Sequence, residues 1–312
     1  MNMPVAVVLA GGLGSRLRPL TEVLPKPALP VAGTPLLGLQ LAWLAGHGVH
    51  EAVIASGYAG DALAAAVGDG SAYGVRVSFV REPAPLGTGG ALARALRTLP
   101  TPPERVIVTN GDQLTGHDLG AQVVASERSG ASVCVHARNV LDARPFGLLT
   151  LEGEQVVAFR EKPPAPVPGL VNAGTYVVRP SALTDVPDDR EVSLEREVFP
   201  ALLARGDLVT AYAEDAYCLD VGTPVALRQA TADRIAAGAP AVDPSARVAR
   251  SAVVGGGSWV GPEAVVEADV RLTGTVVLPG ARVGAGCALV DCVVQFGAAI
   301  AAGTRASGAV LT

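Results

Sequence analysis

Short apolar runs separated by helix-like stretches fill the first two thirds of the chain. VAVVLA (residues 5–10) is a buried-strand pattern that runs straight into glycine. TPLLGLQLAWLAGHG (34–48) predicts a helix, with Thr34 as its N-cap and Pro35 in its first turn. EAVIAS (51–56) and the alternating VRVSFVRE (75–82) predict two further strands. TGGALARALRTL (88–99) predicts a helix, and RVIVTNGD (105–112) a fourth strand ending in a polar turn. Strands that alternate with helices argue for a parallel sheet covered by helices. From about residue 138 to 217 the pattern mixes hairpins and helices. FGLLTLEGEQVVAFREKP predicts a hairpin turning at Gly153, VNAGTYVV a strand, and VSLEREVFPALLARG a helix with a glycine stop.

The pattern changes again near residue 241. Small aliphatic residues recur every six positions, at Val242, Val248, Val254, Val260, Val266, Leu272 and Leu278. After a one-residue slip they continue at Val283, Leu289, Val294 and Ile300. A six-residue period marks a parallel β-helix in which each hexad is one short face, so this tail is long enough for about four coils. The expected organisation is therefore a domain over residues 1–238 and a hexapeptide-repeat domain over 239–312.

Composition narrows the class. At 49% hydrophobic residues the chain lies far from the disordered range, and at 4% aromatic its core is built from small aliphatics. A net charge of −5 argues against a nucleic-acid-binding face. Cys134, Cys218, Cys287 and Cys292 form no CxxC pair and lie near no histidine at metal-ligand spacing, so they read as reduced core thiols. His47, His50, His117 and His136 are scattered, which suits ordinary core or surface histidines. The first twelve residues lack the basic start of a signal peptide, and no apolar run is long enough to span a bilayer. The expectation is a soluble cytoplasmic protein with no membrane or nucleic-acid partner.

The chemistry concentrates at the strand ends, where ligands bind in open α/β sheets. LAGGLGSRLRPLTEVLPKP (9–27) carries three glycines in four residues, then Arg16, Arg18 and a lysine, Lys26, bracketed by prolines. It has no Gly-Lys-Ser/Thr of a P-loop, and Leu17 stands where the dinucleotide fingerprint needs its third glycine. What remains is a glycine-rich turn whose N–H groups can face phosphate, or a tight turn with solvated basic residues. Asn110–Gly111–Asp112 falls at a second strand end. Taken singly, Asp112 and Asp220 suit ordinary turns, and Lys162 suits a hairpin-end surface lysine.

AGGLGSRLRPLT…PKP resembles the signature loop of the sugar-1-phosphate nucleotidyltransferases. EPAPLGTGGAL (82–92), NGD (110–112), FG (146–147), EKP (161–163), NAGTY (172–176) and DVGTP (220–224) follow in that family's order. The resemblance spans residues 4 to about 235. It implies a Rossmann-like mixed, mainly parallel α/β sheet, and its tail is similar to the left-handed β-helix that many members carry.

It also implies a reaction in which a sugar 1-phosphate attacks the α-phosphorus of a nucleoside triphosphate and pyrophosphate leaves. Arg16 and Lys26 would then meet the triphosphate. Ala10, Gly11, Gly12, Gly14 and Ser15 would bring the backbone to the nucleotide. Glu82, Pro85, Leu86, Gly87 and Thr88 would read base and ribose, beside Asn110 and Gly111. Asp112 and Asp220 would hold Mg²⁺. Lys162 would grip the sugar phosphate, with Glu161, Asn172, Gly147, Ala173, Gly174 and Asp220 around the sugar. The catalytic set implied is Arg16, Lys26, Asp112, Lys162 and Asp220.

The PLGTGGAL, VSLEREVFP and DVGTP segments resemble most the guanylyltransferases of mannose or heptose 1-phosphate, with GTP as the expected nucleotide. The alternatives are a uridylyl- or thymidylyltransferase acting on glucose or amino-sugar phosphates, and a non-catalytic nucleotide-sugar sensor. The tail has no histidine to serve acyl transfer and reads as a surface for homo-oligomerisation. Phe146 stands where tyrosine is common, which removes a phenolic contact.

Overall fold

The computed structural model describes residues 3–57, 59–82, 84–187 and 190–312. Pro83 of the EPAPLG segment and the first two residues of the N-terminal stretch lie outside the described residues. The chain divides into two compact units, residues 1–12 with 37–218, and residues 13–36 with 219–312.

The first unit is built on a nine-stranded sheet. Its spatial order is Arg76–Arg81, Glu51–Ser56, Ala6–Leu9, Val106–Asn110, Gly169–Val178, Val133–Val140, Val209–Ala213, Gln155–Glu161 and Gly147–Glu152. The first four strands run parallel, as the alternating pattern predicts. Gly169–Val178 then enters antiparallel and carries the mixed half of the sheet. Val7, Val108, Val135, Tyr176 and Phe199 belong to one buried cluster. Central strands covered on both faces read as unbroken apolar runs, which is why VAVVLA and RVIVTN lack alternation. The hairpin at Gly153 is present, with that residue at φ +62°.

The pairing of Gly169–Val178 with Val133–Val140 shifts register between Asn172 and Tyr176. This is a β-bulge, and it contains Gly174 at φ +75°. Bulges re-aim side chains at the rims of sheets.

In the second unit, Thr34–Pro35 does not cap a helix. It pairs as a short strand with Pro30–Val31, around Ala32 and Gly33 at φ +49° and +87°. Two consecutive positive φ values make the tight hairpin turn whose twist matches its strands. The helix begins instead at Leu36. Pro224–Ala236 is a helix with Pro224 in its first turn, and Thr223 caps it by accepting the Ala226 N–H at 3.2 Å.

Three four-stranded parallel sheets follow and form the β-helix in four coils. Val248, Val266, Val283 and Ile300 are in register, as are Val260, Val277 and Val294. Val277, not Leu278, takes the ladder position opposite Val260. The slip therefore falls one hexad earlier than the aliphatic spacing suggests, near Gly274 at φ +56°. Leu278 is also buried, so hydrophobicity does not separate the two. Cys287 and Cys292 are buried free thiols in this unit, and Cys134 is one in the first.

Candidate active site

The glycine loop leaves the central parallel strand Ala6–Leu9. Ala10 is buried and donates its N–H to the Ala55 carbonyl at 2.8 Å. A Cβ at Gly11 would lie 2.9 Å from Oε1 of Glu82, so the loop passes directly over that carboxylate. Gly12 is exposed with open space around it.

Glu82 is buried at 9% exposure. Its Oε2 accepts the Leu86 N–H at 3.2 Å, while its Oε1 has no partner among the described residues. Burial pushes its carboxyl above the ordinary range, and the Leu86 N–H opposes this. Gly87, at φ +66°, lies where a Cβ would strike the Val192 carbonyl at 2.5 Å. The Thr88 hydroxyl donates to Glu195 Oε2 at 2.9 Å. Pro85 is exposed.

Asn110–Gly111–Asp112 forms the turn after Val106–Asn110. Gly111 donates to the Leu9 carbonyl at 2.8 Å, and a Cβ there would meet Ala10 at 3.1 Å. The turn therefore nests against the start of the glycine loop, and the small residue is what allows it. Behind it, the buried Gln40 amide donates to the Asn110 carbonyl at 2.5 Å and the Gln113 carbonyl at 2.6 Å. A Cβ at Gly174 would meet Gln113 Oε1 at 2.4 Å and Asn110 Nδ2 at 2.9 Å. The bulge and the Asp112 turn thus interlock through a bare glycine.

The far part of the same unit holds the EKP and NAGTY residues. A Cβ at Gly147 would meet the Phe159 ring at 2.4 Å and Glu161 Oε2 at 2.9 Å, so this position must stay small for Glu161 to lie across it. Burial raises the Glu161 carboxyl, Lys162 lowers it, and Glu195 raises it further. Lys162 Nζ stands 3.8 Å from Glu161 Oε1. Its backbone is left-handed at φ +49°, and its N–H donates to Phe146 at 2.9 Å. A non-glycine residue held there carries local strain of a kind that clusters at functional sites. Asn172 Oδ1 accepts the Gly174 N–H at 2.9 Å, and its amide donates to the Tyr176 hydroxyl at 2.8 Å. Ala173 is buried. The Phe146 ring lies under the Arg138 guanidinium at 5.2 Å.

In the second unit, Gly14 (φ +62°) opens a short 3₁₀ turn over Ser15–Leu17. Its carbonyl accepts from the Thr21 hydroxyl at 3.0 Å, and a Cβ there would meet Thr21 at 2.9 Å and Lys26 at 3.1 Å. Ser15 is exposed. Lys26 is buried, and its Nζ reaches Asp220 Oδ1 at 3.0 Å. Arg16 reaches Asp220 Oδ2 at 3.4 Å. Two cations therefore share one half-exposed carboxylate. A Cβ at Gly222 would meet Arg16 at 2.7 Å and Asp220 at 2.9 Å, which explains the glycine two residues after the aspartate.

Two groups of residues escape a motif-based reading. Glu195, within the VSLEREVFP segment but given no role there, and Gln40, which lies in no motif, both hold motif residues through hydrogen bonds. The histidines also gather. His117 and His136 are fully buried and stacked with ring centroids 3.7 Å apart, and Trp43 lies beside His117. His117 pairs with Thr115 at 2.8 Å and Gln122 at 2.9 Å. Burial first, then the His136 charge, lowers His117 to about 3.

In the second unit Arg16 and Lys26 gather at Asp220, and in the first Asp112 lies in the turn after a strand and the left-handed Lys162 stands beside the half-buried Glu161; each is a group whose chemistry suits polyanionic substrates. Residues 5–236 match the Nucleotidyl transferase family, and the chain belongs to it. Its activity is the transfer of a nucleotidyl group from a nucleoside triphosphate to a sugar 1-phosphate, which yields a nucleoside-diphosphate sugar. The chain is 41% identical over 298 residues to a mannose-1-phosphate guanylyltransferase of Mycobacterium tuberculosis, covering 91% of this chain and 82% of that protein. It is 31% identical over 299 residues to a probable mannose-1-phosphate guanylyltransferase of Oryza sativa, covering 89% and 82%. HddC from Yersinia pseudotuberculosis, solved in complex with GMP-PN, superposes with a TM-score of 0.65 at 28% identity, covering 74% of this chain and 100% of that one. Among the described residues no helix is long and apolar enough to cross a membrane.

Proposed function

We propose that this enzyme joins GTP and mannose 1-phosphate to give GDP-mannose and pyrophosphate, with residues 1–238 carrying the chemistry. The base choice rests on Glu82. A carboxylate only accepts hydrogen bonds, and guanine presents its ring N1–H and its 2-amino group side by side as donors. Thymine and uracil offer a single N–H on that edge. A buried Oε1 with no partner among the described residues is the acceptor such a base would satisfy. The substrates named for the relatives support the same reading.

The remaining roles follow from charge. Both substrates are polyanions, so the reaction is governed by positioning and by cations aimed at the phosphates. Arg16 and Lys26 hold the triphosphate and the departing pyrophosphate, with the Gly11, Gly12 and Gly14 backbone beside it. Asp112 and Asp220 are hard oxygen donors, and Mg²⁺ takes one or two carboxylates together with phosphate oxygens and water. Each residue is therefore a suitable donor to Mg²⁺, which when bound neutralises phosphate charge. Lys162 holds the sugar phosphate, and Glu161 and Asn172 take sugar hydroxyls. A sugar-phosphate oxygen forms its bond to the α-phosphorus as the bond to the leaving pyrophosphate oxygen breaks. The attacking phosphate is already ionised, so no protein base is required.

Glu82→Gln tests the base assignment. One acceptor becomes a donor facing guanine, and KM for GTP rises about ten- to hundredfold, the scale of a lost bidentate base contact. In the wild type, protonation has the same effect. Because burial raises the Glu82 carboxyl, KM for GTP climbs on acidification at a higher pH than an ordinary carboxylate would give. An unchanged KM in the variant contradicts the assignment.

A further inference from the structure

The nucleotide segment and the sugar segment meet at one carboxylate that belongs to neither. Glu195 sits in a π-helical turn, Leu194–Val198, that opens at Ser193. Its Oε2 accepts from the Thr88 hydroxyl at 2.9 Å and the Ser193 hydroxyl at 2.8 Å. Its Oε1 accepts from the Tyr176 hydroxyl at 3.2 Å. Toward the sugar side the chain continues from Tyr176 to the Asn172 amide, and from Asn172 Oδ1 to the Gly174 N–H. Toward the nucleotide side, Thr88 accepts the Leu194 N–H at 2.8 Å. There too, Gly89 donates to Val192 and Val192 to Leu86, each at 2.8 Å. An unbroken path of hydrogen bonds thus runs from Leu86–Gly89 to the bulge at Asn172–Gly174.

The chemistry of the junction is specific. Three hydroxyls each direct their single proton at Glu195, and only an acceptor-only group can receive all three. Tyr176 is fully buried. Burial and the nearby Glu195 charge raise its phenol well above the ordinary value, so it stays a proton donor. Glu195 is also close enough to raise Glu161. The π-turn is the local device that brings it there, and such turns recur at functional sites.

We propose that Glu195 is a positioning residue that couples the two substrate sites. Ordering of Leu86–Gly89 by the nucleotide sets the orientation of Asn172 before the sugar phosphate arrives. The inference rests on the reading that these two segments hold nucleotide and sugar phosphate. Coupling of this kind is reciprocal, so each substrate strengthens binding of the other by the same factor.

The test uses the full-length protein and the nucleotide and sugar phosphate that it turns over fastest, so an error in the GTP or mannose assignment does not enter. Calorimetry measures the Kd of the sugar phosphate with and without a saturating α,β-methylene analogue of that nucleotide. In the wild type the analogue lowers this Kd about tenfold. In Glu195→Gln the ratio falls toward one, and KM rises for both substrates while kcat changes less. Thr88→Val and Tyr176→Phe each shrink the ratio, and neither adds to Glu195→Gln. These two near-isosteric variants also carry the test if Glu195→Gln folds poorly. A wild-type ratio of one overturns the proposal. So does a pattern in which Thr88→Val moves only the nucleotide KM, Tyr176→Phe moves only the sugar-phosphate KM, and the two effects add.

Discussion

At the residue scale, the site depends on what is missing as much as on what is present. Gly11, Gly111, Gly147 and Gly174 each lie where a Cβ would meet a polar group or backbone of the site within about 3 Å. The charged residues are then set by specific partners, as Asp220 is by Lys26 and Arg16. Under the proposed mechanism, Asp112→Ala and Asp220→Ala each remove most Mg²⁺-dependent turnover, by about a hundred- to a thousandfold, the scale of losing one principal electrostatic contact at a reacting centre. The fold should tolerate both, because Asp112 lies in a turn and Asp220 is the exposed last residue of the short strand Cys218–Asp220, outside the core. Turnover by pyrophosphate release, alongside circular dichroism, checks this. Near-normal activity in either variant removes that aspartate from the metal site.

At the scale of elements, motif residues were legible and their supports were not. Glycine loop, NGD turn and EKP hairpin end all stand beside apolar strand patterns, so their placement at strand ends could be read directly. The bulge at Asn172–Gly174 could not, because a register shift depends on the partner strand. Thr34–Pro35 reads as a helix start because proline after threonine suits a helix start and a tight hairpin equally well. The hexad slip was displaced because adjacent Val277 and Leu278 are both buried. His117 and His136 lie nineteen residues apart in sequence, and only the pairing of the elements stacks them. That stack makes an acid prediction. A ring whose folded value is about 3 refuses a proton that the unfolded chain takes near 6.5. Stability is therefore present at neutral pH and lost as pH falls through that window. The loss from His117 is about 2 kcal/mol by pH 5, and His136, lowered chiefly by burial, acts in the same direction. Urea midpoints at pH 7 and pH 5 measure it. His117→Gln shows a smaller fall between the two, and an equal fall would assign the acid sensitivity elsewhere.

At the scale of the whole molecule, a nucleotidyl transferase segment is followed by a repeat whose four coils share flat sheet faces. Val253 and Val290 are exposed on strands of the same sheet of that repeat, and we propose that the tail joins copies of the chain. Light scattering on the intact protein should then give a multiple of 31.4 kDa, and a variant ending at residue 238 should give less. An unchanged multiple in the shortened protein would move the interface elsewhere. Substrate choice is the central proposal, because the proposed roles of Glu82, Arg16, Lys26 and Lys162 all depend on it. The most direct measurement is pyrophosphate release with Mg²⁺, pairing ATP, GTP, UTP and dTTP with the 1-phosphates of mannose, glucose, N-acetylglucosamine and heptose. The highest kcat/KM is expected for GTP with mannose 1-phosphate. No signal from GTP with any acceptor, beside robust turnover of UTP or dTTP, would contradict it.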